Sequence, residues 1–322
     1  MYILTGGAGF IGSCFLEKLN SQGINNILVV DNLASSSKWK NLRNKNYNDY
    51  LHKSEFLQQI KDNKLTNKID YIIHLGACSS TTETNADYMM ENNFQYTKTL
   101  ASWALKNNIK MLYASSAATY GDGSQGFNDD DNLNPKLSPL NVYGYSKLLF
   151  DLWALKSGAI KNLIGVRFFN VFGPNEYHKG EMASVIYKSH QQILKQGNIE
   201  LFKSYKKEYA DGEQKRDFIY VKDCCDALWW MMNQHNLSGI FNLGTAKERS
   251  WNDLAKAAFS AQKKPVNIQY IEMPEYLRDK YQYFTEAKMD KLLQAGYTGK
   301  FRSLEESIED YICNYLLVDK YL

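Results

Sequence analysis

Tyr143 and Lys147 stand four residues apart in Tyr143-Gly144-Tyr145-Ser146-Lys147. On a helix that spacing places both side chains on one face. A phenol with an ordinary pKa near 10 is a poor base at neutral pH. An ammonium beside it favours the phenolate and lowers that pKa, so Tyr143 is expected to become a usable acid/base. Ser116, at the end of Ala114-Ser115-Ser116, is the matching hydrogen-bond partner for a reacting hydroxyl or carbonyl. Position singles out Tyr143 among 23 tyrosines, because it opens the helix that follows that strand. Tyr276 and Lys280 repeat the spacing without that context and read as chance.

The N-terminus supplies a place for a redox partner to such an acid/base. Gly6-Gly7-Ala8-Gly9-Phe10-Ile11-Gly12 follows an apolar run and opens an amphipathic one. Glycines let backbone approach a pyrophosphate, and the first N–H groups of the following helix face it. Asp31 then ends the second apolar run, at the distance a dinucleotide fingerprint requires. An acidic residue there holds a ribose 2′-hydroxyl and favours NAD. Asn32, Lys38 and Lys53 follow, and lysines hold a 2′-phosphate, so the residues leave NAD against NADP open. Asp49 suits an adenine contact or a surface turn equally.

The elements that must position these groups alternate. Strands are expected at Tyr2–Thr5, Asn26–Asp31, Tyr71–His74, Lys110–Ala114 and Leu163–Arg167. Helices are expected at Ile11–Asn20, Lys53–Lys61, Glu83–Lys106 and Tyr143–Lys156. Ser80 followed by Glu83 has capping-box spacing for the third of these helices. The reading is a Rossmann-type doubly wound parallel sheet with helices on both faces. After Pro174 longer helical stretches mix with short extended pieces at Phe218–Val221, Ile240–Leu243 and Val266–Tyr270. This predicts a dinucleotide-binding domain over 1–173 and a smaller, mostly C-terminal α/β substrate lobe over 174–322. A segment near 215–245 is expected to return to the first lobe, and Lys203–Arg216 reads as an exposed loop.

Composition narrows the class. The 322 residues are 44% hydrophobic and 23% charged, ordinary for a globular protein. A formal charge of +3 is too small to imply nucleic acid, though it suits an anionic phosphorylated substrate. No run reaches membrane-span length and the N-terminus carries no leader pattern, so a cytoplasmic protein is expected. The five cysteines include no C-x-x-C, which points to free buried thiols and neither disulfides nor a metal site.

Nine segments together resemble the ADP-L-glycero-D-manno-heptose 6-epimerases, which are extended short-chain dehydrogenases/reductases. They are Thr5–Ser13, Leu28–Leu33, Gly76–Glu83, Tyr113–Gly121, Asn141–Lys147, Arg167–Pro174, His178–Val185, Arg216–Asp223 and Gly239–Thr245. GACSSTTE and HKGEMAS are the narrower of these. The resemblance implies tightly bound NADP, held by Gly6, Gly9, Phe10, Ile11, Gly12, Asp31, Asn32, Lys38 and Lys53. It adds Leu75, Gly76, Ala77, Cys78, Ser79, Asn92, Lys147, Val171 and Lys179 to that set. It implies ADP-heptose contacts from Ser116, Asn170, Glu181, Lys188, Phe202, Lys203, Ser204, Tyr205, Arg216 and Tyr281. Tyr143 and Lys179 would be the two proton-transferring residues, with Ser116 and Lys147 beside them. The family forms homo-oligomers, commonly pentamers. This chain departs at Glu181 and Lys188, where a small polar residue and a histidine are expected, and in the lengths of 121–139 and 202–216.

A carbinol carbon bearing only carbon neighbours has no acidic C–H. Inversion there is expected to pass through a ketone, with hydride removed to the bound cofactor and returned to the opposite face. Two orientations of the ketone then call for two acid/bases. A dehydratase would carry an Asp-Glu pair where Ala117-Ala118 stand. A UDP-hexose 4-epimerase is the nearest alternative enzyme. A non-catalytic NADP-binding scaffold is the alternative of another class, disfavoured because Tyr143, Lys147 and Ser116 are all present.

Overall fold

Apolar runs of four to seven residues bounded by turn formers are too short for buried helices, and they assemble as strands. The computed structural model describes residues 1–65, 67–278 and 281–322, so Lys280 lies outside the described residues. In chain order the strands are β1 (Tyr2–Thr5), β2 (Ile27–Asp31), β3 (Asp49–His52), β4 (Tyr71–His74), β5 (Lys110–Ser116) and β6 (Leu163–Phe168). Then come β7 (Asn170–Phe172), β8 (Ile199–Phe202), β9 (Lys215–Tyr220), β10 (Gly239–Leu243), β11 (Glu248–Ser250) and β12 (Ile268–Ile271).

One seven-stranded sheet has the order β10-β6-β5-β4-β1-β2-β3. Every pairing in it is parallel. Apart from the exposed edge strand β3, the strands are largely buried, as their near-continuous apolar character requires. β10 lies beside β6, so the chain returns to the main sheet after leaving it. Two small sheets, β11-β9-β7 and β12-β8, stand apart from it. The register aligns Thr5 with His74 and Val30, and Ser116 with Phe168, so the C-terminal strand ends converge on one edge. In an open parallel sheet the ligand crevice lies there.

Five helices frame that edge: α1 (Phe10–Ser21), α2 (Lys53–Lys61), α3 (Ala86–Met89), α4 (Tyr96–Lys106) and α5 (Val142–Lys156). α3 runs into α4 through a π-turn at Met90–Gln95. The Ser80/Glu83 capping box does not form: α3 is capped by Asn85, whose side chain accepts from the Tyr88 N–H. Glu83 instead accepts from the N–H groups of Thr84 and Asn85, ending an extended loop. Asp49, expected at a turn or on adenine, starts edge strand β3 and is exposed, with its carboxylate turned to the Tyr50 N–H.

Behind Ser116 lies a fully buried ion pair. Arg167 of β6 reaches Asp151 of α5 at 2.8 Å, and Asp151 also accepts from Tyr113 at 2.9 Å and Ser115 at 2.8 Å. Arg167 bonds Asn134 as well, and its guanidinium lies 4.9 Å from the centre of the Tyr120 ring. This network ties the acidic 121–139 segment to the back of the strand that carries Ser116.

Candidate active site

A cleft of about 780 Å³ opens over the C-terminal edge of the main sheet. Its floor is the glycine turn. Gly6 has φ +70°, and a Cβ there would lie 2.6 Å from the Gly76 nitrogen. A Cβ on Gly12 would lie 2.0 Å from the Gly6 oxygen. Only glycine permits this approach of turn to helix. α1 begins after Gly9 with no side-chain cap, so its first N–H groups are left for an anion. Asp31 closes the cradle: it accepts from Ala8 N–H at 2.8 Å and Asn32 N–H at 2.6 Å, and pairs with Lys38 at 2.7 Å.

The loop after β4 is held from below by a chain of single-proton bonds. Thr97 donates to the Asn93 carbonyl at 2.5 Å, so its oxygen must accept from His74 Nε2–H at 2.8 Å. His74 Nδ1 is then the acceptor for the Thr5 hydroxyl at 2.6 Å, and Thr5 Oγ1 receives the Gly76 N–H at 3.2 Å. Burial, aided by the Lys147 charge, pushes His74 down to about 3, so the ring is neutral at every ordinary pH. Asn93, in the π-turn, accepts from Cys78 N–H at 2.8 Å and donates to the Cys78 carbonyl at 3.0 Å and the Ser146 hydroxyl at 2.9 Å. The 75–79 loop and the first turn of α5 are thereby fixed to one another.

On that turn, Asn141 caps α5 by accepting from the Gly144 N–H, which sets Tyr143 at the cleft. Ser116 stands beside the Tyr143 phenol in the cleft and accepts from Ala118 N–H at 3.1 Å. Lys147 shares the helical face, as its spacing requires. Its ammonium donates to the Ala114 carbonyl at 2.8 Å, and no bond links it to Tyr143. In the protein alone burial pushes Tyr143 above its ordinary value, with Ser116 opposing; the expected lowering calls on the ammonium together with the positive nicotinamide ring. Burial also pushes Lys147 down to about 8, against the nearby Asp151 charge.

The cleft is also lined by the segment between β7 and helix α6 (Val185–Gln196). Lys179 lies there, its Nζ 5.6 Å from the Phe10 ring centre, and burial lowers its pKa. Glu176, fully buried, accepts from Ser184 N–H at 2.5 Å and the Ser184 hydroxyl at 2.6 Å, anchoring the start of α6. His178 faces the same cleft and is pushed down to about 4 by burial and by the charges of Lys38 and Lys179.

The cleft thus brings together Gly6, Gly9, Phe10, Ile11, Gly12, Asp31, Asn32, Lys38, the 75–79 loop, Ser116, Tyr143, Lys147, Asn170, Val171 and Lys179. Other expected residues lie outside it. Lys53 is bonded to Asn92. Glu181 and Lys188 pair with each other at 3.2 Å near the surface. Lys203 and Tyr205 both engage Glu272. Ser204 bonds Asp211, and Phe202 packs edge-on against Tyr281. Arg216 is buried between Trp251 and Tyr281, its guanidinium 5.7 and 5.3 Å from their rings, while Trp251 donates to the Tyr281 oxygen at 2.9 Å. Trp251 and Phe218 line the cleft, so this aromatic cluster adjoins it. Trp251, Phe218, Glu176 and His178 were not singled out from sequence. The Ser250/Asp253 capping box that opens helix α7 (Trp251–Ala261) was a legible signal for placing Trp251 at a helix start.

Among the described residues no cluster of His, Cys, Asp or Glu could hold a metal, and no helix is long and apolar enough to cross a membrane. The cysteines are free: Cys14, Cys224 and Cys225 are buried, and Cys78 and Cys313 are half-buried.

Residues 2–244 match the NAD dependent epimerase/dehydratase family. An ADP-L-glycero-D-manno-heptose-6-epimerase from Nitratidesulfovibrio vulgaris is 52% identical, with 98% of each chain covered. One from Fusobacterium nucleatum is 49% identical over the whole of both chains. The crystal structure of the Helicobacter pylori ADP-L-glycero-D-manno-heptose-6-epimerase superposes with a TM-score of 0.82 at 29% identity, covering 97% of this chain and 95% of that one.

Proposed function

The chain belongs to the NAD dependent epimerase/dehydratase family, and from that premise we propose that it interconverts the two C6″ epimers of ADP-glycero-β-D-manno-heptose. The observation that carries this reading is one cleft lined by two proton-transfer candidates, Tyr143 beside Ser116 and Lys179 over Phe10. The full-length similarity to heptose epimerases supplies the substrate class.

The glycine cradle fits a dinucleotide, since the space a Cβ would fill at Gly6 and Gly12 is closed to any other side chain. Gly6, Gly9, Gly12, Phe10 and Ile11 would hold its pyrophosphate, with Asp31, Asn32 and Lys38 at the adenosine ribose and Lys147 and Val171 toward the nicotinamide. When bound, it supplies hydride removal from C6″ and hydride return to the same carbon. NADP is proposed over NAD because Lys38 and the adjoining Asn32 offer a seat for a 2′-phosphate, while Asp31 is already occupied by Lys38.

In one orientation of the heptose end, Tyr143 takes the C6″ hydroxyl proton and Ser116 holds the oxygen. Lys147 keeps a positive charge in the cleft, which favours the phenolate against the burial that opposes it. In the flipped orientation, Lys179 protonates the oxygen, helped by a pKa already lowered by burial. Asn170 at the rim contacts the sugar. Arg216, Tyr281, Phe202, the 203–205 stretch, Glu181 and Lys188 meet the ADP part as that region closes on it. A homo-oligomer, pentameric as the resemblance implies, working in the cytoplasm on a lipopolysaccharide precursor completes the proposal.

Purified protein incubated with ADP-D-glycero-β-D-manno-heptose and followed by proton NMR tests it. The L-glycero epimer should grow to an equilibrium mixture without added cofactor. Turnover of UDP-galactose with none of ADP-heptose would favour a UDP-hexose 4-epimerase instead.

A further inference from the structure

The segment that carries Lys179 is bonded on its outer side by the last three residues of the sequence. Tyr177 donates its hydroxyl to the Lys320 carbonyl at 2.8 Å, and its ring meets the Tyr321 ring edge-on at 4.9 Å. Asn175, fully buried with φ +73°, accepts from the Leu322 N–H at 2.9 Å and donates to Ser13 of α1 at 2.9 Å. The Leu322 oxygen accepts from Lys45 at 2.5 Å. Lys45 Nζ is also 2.5 Å from Glu17 of the same helix. The guanidinium of Arg43 lies 4.9 Å from the Tyr321 ring.

These contacts join the tail to α1, the helix of the phosphate cradle, and to the two residues just before His178 and Lys179. Beyond Tyr177 the backbone continues in short 3-10 turns, with the Glu181 carbonyl accepting from Lys188 at 2.6 Å. Lys179 N–H bonds the Glu176 carbonyl at 2.9 Å and Ala183 N–H bonds the Gly180 carbonyl at 3.0 Å. Between them Gly180 turns at φ +53°, with open space where a Cβ would stand. The side chain of Lys179 must nonetheless stand at one height over Phe10 to reach a substrate oxygen. A misplacement of about 1 Å in such a group costs on the order of a hundredfold in rate.

We propose that Tyr177, held by Lys320–Leu322, is a positioning residue that fixes Lys179 over the cleft. The proposal rests on the reading of Lys179 as the second proton-transferring group. It has no need of any contact between the tail and substrate, since Tyr177 acts through Lys179 alone.

The test compares the full protein with Tyr177→Phe, with a chain ending at Asp319 and with Lys179→Ala. Steady-state kinetics on ADP-heptose are paired with amide hydrogen exchange over 176–183. The shortened chain should lose on the order of tenfold in kcat, and Tyr177→Phe several-fold, with KM within about twofold of wild type. Exchange at 178–182 should quicken in both. Should the shortened chain fail to fold, Tyr177→Phe decides alone, because it removes one hydroxyl and keeps the ring. Wild-type kcat in both strap variants, with Lys179→Ala inactive, overturns the proposal by itself. A Lys179→Ala protein with normal kcat overturns the proton-transfer reading and this proposal together. A raised KM with unchanged kcat in Tyr177→Phe also overturns it, since that would make Tyr177 part of substrate binding.

Discussion

Lys38 lies 2.7 Å from Asp31 at the rim of the glycine cradle, and the same carboxylate already accepts two backbone N–H groups. Three of its acceptor positions are therefore used within the protein, and on the proposed dinucleotide placement the Lys38 ammonium would stand beside the ribose 2′-substituent. Lys38→Ala should weaken NADP binding by roughly ten- to a hundredfold, the worth of one charge-assisted bond. NAD binding should stay the same or improve. Titration calorimetry with both dinucleotides checks this, and equal losses for the two would show that Lys38 does not read the phosphate.

Lys147 titrates at about 8 because burial outweighs the Asp151 charge. Its protonated form, the one able to bond a ribose hydroxyl and to favour the Tyr143 phenolate, is complete below that pH and lost above it. Dinucleotide affinity should thus fall as pH rises from 7 to 9. Lys147→Arg should abolish that fall, because a guanidinium stays charged throughout. A wild-type affinity flat across this range would contradict the assignment.

His74 is neutral in the folded protein and is held down to about 3 from an ordinary 6.5. Between those values the unfolded chain binds the extra proton, so stability rises with pH there. The contribution is whole above pH 6.5 and is lost as pH falls, at about 1.4 kcal/mol per unit. Urea unfolding at pH 7.5 and pH 5 should show wild type losing about 2 kcal/mol more than His74→Gln. Equal losses would remove His74 from the account of acid sensitivity.

The first half of the fold and the core of the site were legible because they rest on local rules. Tyr2–Thr5, the glycine turn and Asp31 form a unit whose geometry short-range sterics dictate, and the spacing from Tyr143 to Lys147 becomes a shared helical face without further help. Contacts made by tertiary packing were not legible. β3 is polar and exposed at a sheet edge, so Asp49–His52 carries no apolar alternation to reveal it. Ser80 and Glu83 have capping spacing, yet the chain turns at Thr81–Thr82 and the helix begins later, capped by Asn85, while Asn93 holds the preceding loop through Cys78. Trp251 reaches the cleft only because β11 pairs with β9, a contact with no local trace. The phenol of Tyr143 shows the same limit: spacing set its face, while burial decided its pKa.

Asp151 gathers Arg167, Tyr113 and Ser115 in the interior behind Ser116. Removing it leaves a guanidinium buried without its counter-charge. Asp151→Ala should cost about 3–5 kcal/mol of stability, measured by denaturant unfolding. A loss under about 1 kcal/mol would mean that Arg167 finds another partner or water.

Inversion at C6″ by internal hydride transfer is tested most directly with ADP-D-glycero-β-D-manno-heptose deuterated at C6″. Run in ordinary water and read by NMR and mass spectrometry, the L-glycero product should keep the deuterium at C6″. Loss of that deuterium to solvent would mean the C–H bond is broken as a proton, and the account built on Tyr143, Lys179 and the dinucleotide cradle would fail.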